Sequence, residues 1–179
     1  MVRGFALGIA VMGMVLAAGG CSQPYASGYT YYPQPATVEV LPREEKQRSP
    51  LMALVSVLGV HKEDQQQRIP YSVVVRMRFE IVGQSKVTFD PATLELVTGT
   101  LREFQRPRVT PPGLVTLAPG DRKVFTAYFP FPPGASVSDM NLRNLRLRWE
   151  VNIDSTPVIQ TVVFERVEGG SDYDNEVGF

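Results

Sequence analysis

YSVVVRMRFEIV, Tyr71 to Val82, decides the fold. Val73, Val75, Met77, Phe79 and Ile81 fall on one side of an extended backbone, and Val74, Arg76, Arg78 and Glu80 fall on the other. Side chains of a strand alternate with a period of two, so this stretch predicts a strand with one dry face. Leu145 to Asp154 repeats the pattern: Leu145, Leu147, Trp149, Val151 and Ile153 alternate with Arg146, Arg148, Glu150, Asn152 and Asp154. Each strand must bury its apolar face, and two sheets packed face to face satisfy both. The expectation is an all-β sandwich.

Composition agrees. Fifteen Gly and fifteen Pro, scattered between short apolar runs, suit many turns rather than long helices. The 179 residues suffice for one domain with a single core. Eighteen basic residues balance eighteen acidic ones, so no net field gathers nucleic acid or an anionic surface from a distance.

Working outward, the remaining strands are read from short apolar runs bounded by turns. Leu51 to Val60 fits a helical stripe through Leu51, Leu54, Val55 and Leu58. Its β-branched Val55, Val57 and Val60 and the interrupting Gly59 favour the first strand instead. His61 to Gln67 reads as an exposed loop. Gly83-Gln84-Ser85 is a turn, Lys86 to Phe89 a return, and Asp90-Pro91 a second turn, after which Leu94 and Leu96 point inward. Thr98-Gly99 suggests a hairpin into Thr100 to Gln105. Arg106 to Pro112, with three prolines, can only be an edge or a loop. Val124 to Phe131 places Phe125, Ala127, Phe129 and Phe131 inward, and Ser136 to Asn144 has room for one helical turn capped by Ser138. A turn at Asp154-Ser155-Thr156-Pro157 leads into a final strand, Val158 to Val167.

The amino-terminal end carries an address. Arg3 precedes an apolar run from Phe5 to Ala18, too short and Gly-rich for a membrane span, which ends in Ala18-Gly19-Gly20-Cys21. This resembles the lipobox-type signal peptide of bacterial lipoproteins, although Ala18 stands where Leu, Val or Ile is usual. The resemblance implies a diacylglyceryl group on the Cys21 thiol, cleavage after Gly20 and acylation of the new amino terminus. The competing reading is an ordinary secretory signal with an incidental cysteine. Against it, Cys21 is the only cysteine and cannot form an internal disulfide. Two or three acyl chains, at about 0.8 kcal/mol per buried methylene, would hold the protein firmly on a bilayer. Ser22 follows where Asp would favour inner-membrane retention, so the resemblance favours an extracytoplasmic place on the outer membrane over the inner.

The expected organisation is a signal peptide over residues 1–20, a lipidated end with a flexible Pro/Tyr-rich tether over 21–48, the sandwich over 49–168 and an acidic disordered tail over 169–179. Polyproline-like spacing across Ser22 to Ala36 would extend about 45 Å. Thr37 to Leu41 reads as the start of a short strand, and the charged run Arg43 to Arg48 as a connector. Tyr25, Tyr29, Tyr31 and Tyr32 read there as adhesive contacts or, more blandly, as solvated or headgroup-level side chains.

About seven strands at short spacing match the count of an immunoglobulin-like sandwich. The long alternating strand, the FDPATLELV segment, LAPGD and the alternating Phe strand resemble immunoglobulin-like, telokin-like domains of secreted bacterial lipoproteins. The resemblance implies a fold and an extracytoplasmic setting, with no shared activity and no site residue to carry over.

Catalytic material is sparse. His61 is the sole histidine, no zinc-ligand spacing exists, and no cofactor or small-molecule substrate is indicated. Glu95 and Glu103 are the one carboxylate pair considered for an envelope hydrolase, and Asp172, Asp174 and Glu176 form an incomplete calcium-loop pattern. Arg102, Arg106 and Arg108 are candidates for an anionic envelope polymer or lipid headgroups, with ordinary solubilising charge as the simpler account. Arg76 and Arg78 should lie on the opposite outer surface from Arg146 and Arg148. The preferred reading is a non-catalytic binding or structural module of the bacterial cell envelope, held to the membrane at Cys21 and meeting an envelope protein partner, with no role in nucleic-acid binding.

Overall fold

The computed structural model describes residues 25–27, 29–41, 50–61 and 71–167. The signal segment, Cys21, the Arg43 to Arg48 connector, most of the loop after His61 and the acidic tail with Asp172, Asp174 and Glu176 lie outside them. The described chain is an all-β sandwich of two antiparallel sheets of six strands each.

The first sheet is built around the deciding stretch. β5 (Ser72–Ile81) pairs with β4 (Leu51–His61) on one side and β10 (Arg122–Pro130) on the other. β8 (Arg108–Thr110) adds beyond β10, while β1 (Tyr25–Ser27) and β3 (Ala36–Val40) share the outer edge of β4. The second sheet is built around β11 (Asn144–Ile153), paired with β12 (Thr156–Val167) along its length. β6 (Val87–Phe89) and β7 (Glu95–Thr98) share the other side of β11, β9 (Val115–Leu117) lies outside β6, and β2 (Thr30–Tyr32) lies outside β12. In chain order, β4, β5, β10 and β8 occupy the A, B, E and D places of an immunoglobulin-like sandwich, and β6/β7, β11 and β12 the C, F and G places. The count matches the expected seven or so, with two short strands sharing the C place, but Thr100 to Gln105 is not among them; the other segments are short additions at the edges.

The dry faces meet as the alternation requires. Val73, Val75, Met77, Phe79 and Ile81 are buried against Leu145, Leu147, Trp149, Val151 and Ile153 in one continuous core. Phe79 and Phe125 of the first sheet and Phe89 of the second stack edge to face with centroids 5.0 to 5.4 Å apart, which ties the layers at their centre. Leu51 to His61 is strand, with Leu51, Ala53, Val55 and Val57 inward. Gly59, at φ 112°, takes up a bulge where the register with β5 shifts.

Four expectations need correction. The segment read as a tether is part of the fold from Tyr25 onward: β1 and β3 join the first sheet and β2 the second, and Tyr31 is buried. β1 and β2, at three residues each, carry no visible period, whereas β3 is the short strand expected from Thr37 onward. His61 closes β4 rather than opening a loop, half-buried and edge-on to Tyr128 at 5.9 Å. The β11–β12 turn is Asp154-Ser155 alone, both at positive φ, with Thr156 and Pro157 already in β12. Ser136, and not Ser138, begins the 3-10 turn Val137–Asp139: its N–H and hydroxyl both donate to the Asp139 carboxylate, at 2.7 and 2.6 Å.

Candidate functional site

The Glu95/Glu103 and Arg102/Arg106/Arg108 candidates fall on one stretch of chain, from the start of β7 to the start of β8. β7 runs along β11 to Thr98, and the chain reverses through Gly99 and Thr100 with Leu101 at φ 61°. Gly99 N–H donates to Asn144 O at 2.7 Å, Leu101 N–H to Thr98 O at 2.9 Å, and Arg102 N–H to the Thr98 hydroxyl at 3.1 Å. The return leg is bonded through Thr98 N–H to Arg102 O at 2.9 Å, a bridge between Val97 and Glu103, and Phe104 N–H to Leu96 O at 3.1 Å, and it then leaves β7, with Gln105 N–H donating to Pro130 O at 2.9 Å. The expected hairpin therefore exists as a turn with one bridge, not as two full strands.

Glu95, Glu103, Phe104 and Arg106 line a shallow groove of about 240 Å³ along this leg. Glu95 is ion-paired at 2.9 Å to Arg148, and both side chains are largely exposed. An exposed pair of this kind contributes about 0–1 kcal/mol.

The three arginines are close in sequence but are used separately. Arg102 donates from Nη1 to Asp139 O at 3.0 Å, and its charge adds to the hydrogen bonds from Ser136 that hold the Asp139 carboxyl below the usual carboxylate range. Arg106 lines the groove. Arg108 begins β8, opposite Tyr128, in the other sheet. Arg76 and Arg78 lie in the first sheet and Arg146 and Arg148 in the second, on opposite outer surfaces as the alternation requires. Glu80 takes both Arg78, at 3.6 Å, and Arg122.

The tyrosines divide by role. Tyr31 donates its hydroxyl to Leu142 O at 2.9 Å, just before β11, and burial pushes its phenol well above the ordinary range, partly countered by the Arg166 charge. Tyr29 lies beneath the Arg166 guanidinium, 4.5 Å from ring centroid to carbon, a cation–π contact. Tyr32 is exposed.

A feature that alternation alone did not flag is the far side of β12. β2 pairs with it only opposite Glu165, Arg166 and Val167; among the described residues no strand pairs with it from Thr156 to Phe164, although β3 of the first sheet comes near β12. The signal was present in the run Thr156 to Phe164, TPVIQTVVF, which has no charge. Only the topology shows that it is an edge.

No family model matches the chain, and no characterised protein matches it in sequence. Among solved structures, the crystal structure of the yjhA protein from Bacillus subtilis is similar over 54% of this chain and 71% of that one, at 14% identity and a TM-score of 0.33. So slight a likeness carries no argument.

Proposed function

We propose that this chain is a lipid-anchored extracytoplasmic module of the bacterial cell envelope, non-catalytic, that binds or braces another envelope protein through its sheet edges and loops. The observation that supports the reading is where the sole cysteine joins the domain. Cys21 follows the apolar run, and Tyr25 is already paired with His61 in β1. Four peptide links of ~3.8 Å span at most about 15 Å, so an acylated Cys21 would hold the sandwich close to the bilayer rather than about 45 Å away.

The strand directions then orient the molecule. Tyr25, His61, Ser72 and Pro130 lie side by side at one end of the first sheet. Thr30 and Val167 lie at the matching end of the second. The opposite end carries the Gly83 turn, the Gly120 turn and the Asp154-Ser155 turn, joined where Asp154 N–H meets Lys86 O at 3.0 Å. The first end therefore faces the lipid, and the second faces away.

Mass spectrometry of the mature protein tests the anchor. The expected species begins at Cys21 and carries a diacylglyceryl group, and Cys21→Ser releases the protein from the membrane fraction. An unmodified Cys21 thiol in the exported chain would refute the anchor and the orientation with it.

A further inference from the structure

We propose that the outer face of the first sheet binds a linear, negatively charged polysaccharide along a row of four arginines. The register sets the row out. Outward positions of β5, β10 and β8 come level in successive rungs: Val74 with Tyr128 and Arg108, Arg76 with Thr126 and Thr110, Arg78 with Val124, and Glu80 with Arg122. Each rung carries one arginine. Outward rungs repeat every second residue, ~6.8 Å at ~3.4 Å per residue, so the cations from Arg108 to Arg122 cover roughly 20 Å along the strands. Of the triplet that the sequence suggested, Arg108 alone joins this row.

The counter-charge is confined to one end. Glu80 takes Arg78 and Arg122, and Glu39 on β3 comes level with Glu80 through Met52. Among the described residues, the rungs of Arg76 and Arg108 hold no acid. Arg76 is exposed and has no ion pair there, so its guanidinium is open to an oxyanion, which its planar fork of donors fits. Four arginines against Glu39 and Glu80 leave this face positive. The outer face of the second sheet has the opposite balance, with Glu95, Glu150 and Glu165 against Arg146 and Arg148. The neutrality of the whole chain therefore conceals a difference between its two faces.

Shape and neighbours choose the occupant. A straight row across a flat sheet suits a chain of repeated charges rather than one small anion. The groups beside the cations are hydroxyls: Ser56 and Thr126 stand on either side of Arg76, and Thr110 lies beyond Thr126. Hydroxyls both donate and accept, which matches the hydroxyls of a sugar. Single-stranded nucleic acid would need open aromatic faces to stack its bases. The aromatic residue of the row, Tyr128, is half-buried and meets His61 edge to face at 5.9 Å. A second copy presenting the same face would set arginines against arginines, a juxtaposition that opposes docking.

The test titrates the full-length protein, in phosphatidylcholine nanodiscs, with a fluorescein-labelled oligogalacturonate long enough to cover the four rungs. Fluorescence anisotropy should show saturable binding that weakens as salt rises. Arg76→Glu should weaken it at least tenfold and Arg76→Gln about fivefold, while Arg146→Glu, on the other face, leaves it unchanged. Hydrogen exchange of the wild type should slow at β8 amides when the oligosaccharide is added, a readout that needs no variant to fold. Absence of saturable binding, equal binding by Arg76→Glu, or an equal loss in Arg146→Glu would overturn the proposal. So would oligoglutamate or oligothymidylate that binds as tightly, or phosphatidylglycerol vesicles that displace the saccharide. Binding seen only after removal of residues 169–179 would overturn it as well, since the row would then belong to the chain's own acidic end. None of this rests on the anchored reading, whose failure appears separately in the mass at Cys21.

Discussion

Replacing Tyr31 measures whether the amino-terminal segment is structural. Its ring is 1% exposed and its hydroxyl donates to Leu142 O at 2.9 Å. Tyr31→Phe keeps the ring, removes the bond and leaves a buried carbonyl short of a partner, at a cost of about 1–2 kcal/mol. Tyr31→Ala also empties the ring's volume and should cost about 3–5 kcal/mol. With a urea m-value of about 1–3 kcal/mol/M, the Phe variant should unfold at a midpoint lower by roughly 0.3–2 M. pH supplies an independent axis. Burial raises the folded-state phenol above its ordinary value of 10.0, so its contribution is complete below that pH. It falls as pH rises further, because the unfolded chain loses the proton first. The gap between wild type and Tyr31→Phe should therefore narrow above pH 10.0, by up to about 1.4 kcal/mol per pH unit. Two variants as stable as wild type would show that residues 30–32 are not held in the second sheet.

Trp149→Ala should cost about 3–5 kcal/mol, read as a fall in the urea midpoint, since Trp149 is wholly buried in the core; little change would mean that the alternation was misread. Ser155→Gly should stabilise by about 0.5–1 kcal/mol, because Ser155 sits at φ 74° in the β11–β12 turn and the left-handed strain exceeds the entropy cost of glycine; a calorimetric melt checks the gain. Asp139 is held below the usual carboxylate range by bonds from the Ser136 hydroxyl and then its N–H, and Asp154 by bonds from Ser85 and then the Lys86 N–H. Their stabilisation is present above the ordinary carboxylate range and is lost as pH falls through the lowered folded values, so Asp139→Asn should flatten the acid limb of a stability profile.

The central strands were legible because each has one face in the core and one in water, and the inward sets of β5 and β11 stand as alternation placed them. Val74 departs from the rule: it alternates outward yet is 1% exposed, at the end of β5 where His61 and Tyr128 meet. The edge additions were illegible for a different reason. Three residues such as Thr30 to Tyr32 cannot display a period, and prolines on either side resemble a linker, while the burial of Tyr31 depends on Leu142 far along the chain. The arginine triplet failed as a patch because nearness in sequence is lost when a chain crosses between layers: Arg102 turns to Asp139, and Arg108 enters the other sheet. The groove beside Glu95 and Glu103 required the single bridge at Val97, which no pattern specifies.

The crossing of the amino-terminal segment from the first sheet to the second and back has a mechanical meaning. β1 runs inward from its Tyr25 end, alongside β4, so tension applied at Tyr25 acts along the strand axis and loads its cross-strand bonds together. Should β1 yield, β2 takes up the pull in the other layer in the same shearing sense, and β3 follows in the first. A chain sewn through both layers in this way resists being drawn out from its leading end, and the core strands carry no load until all three stitches have slipped.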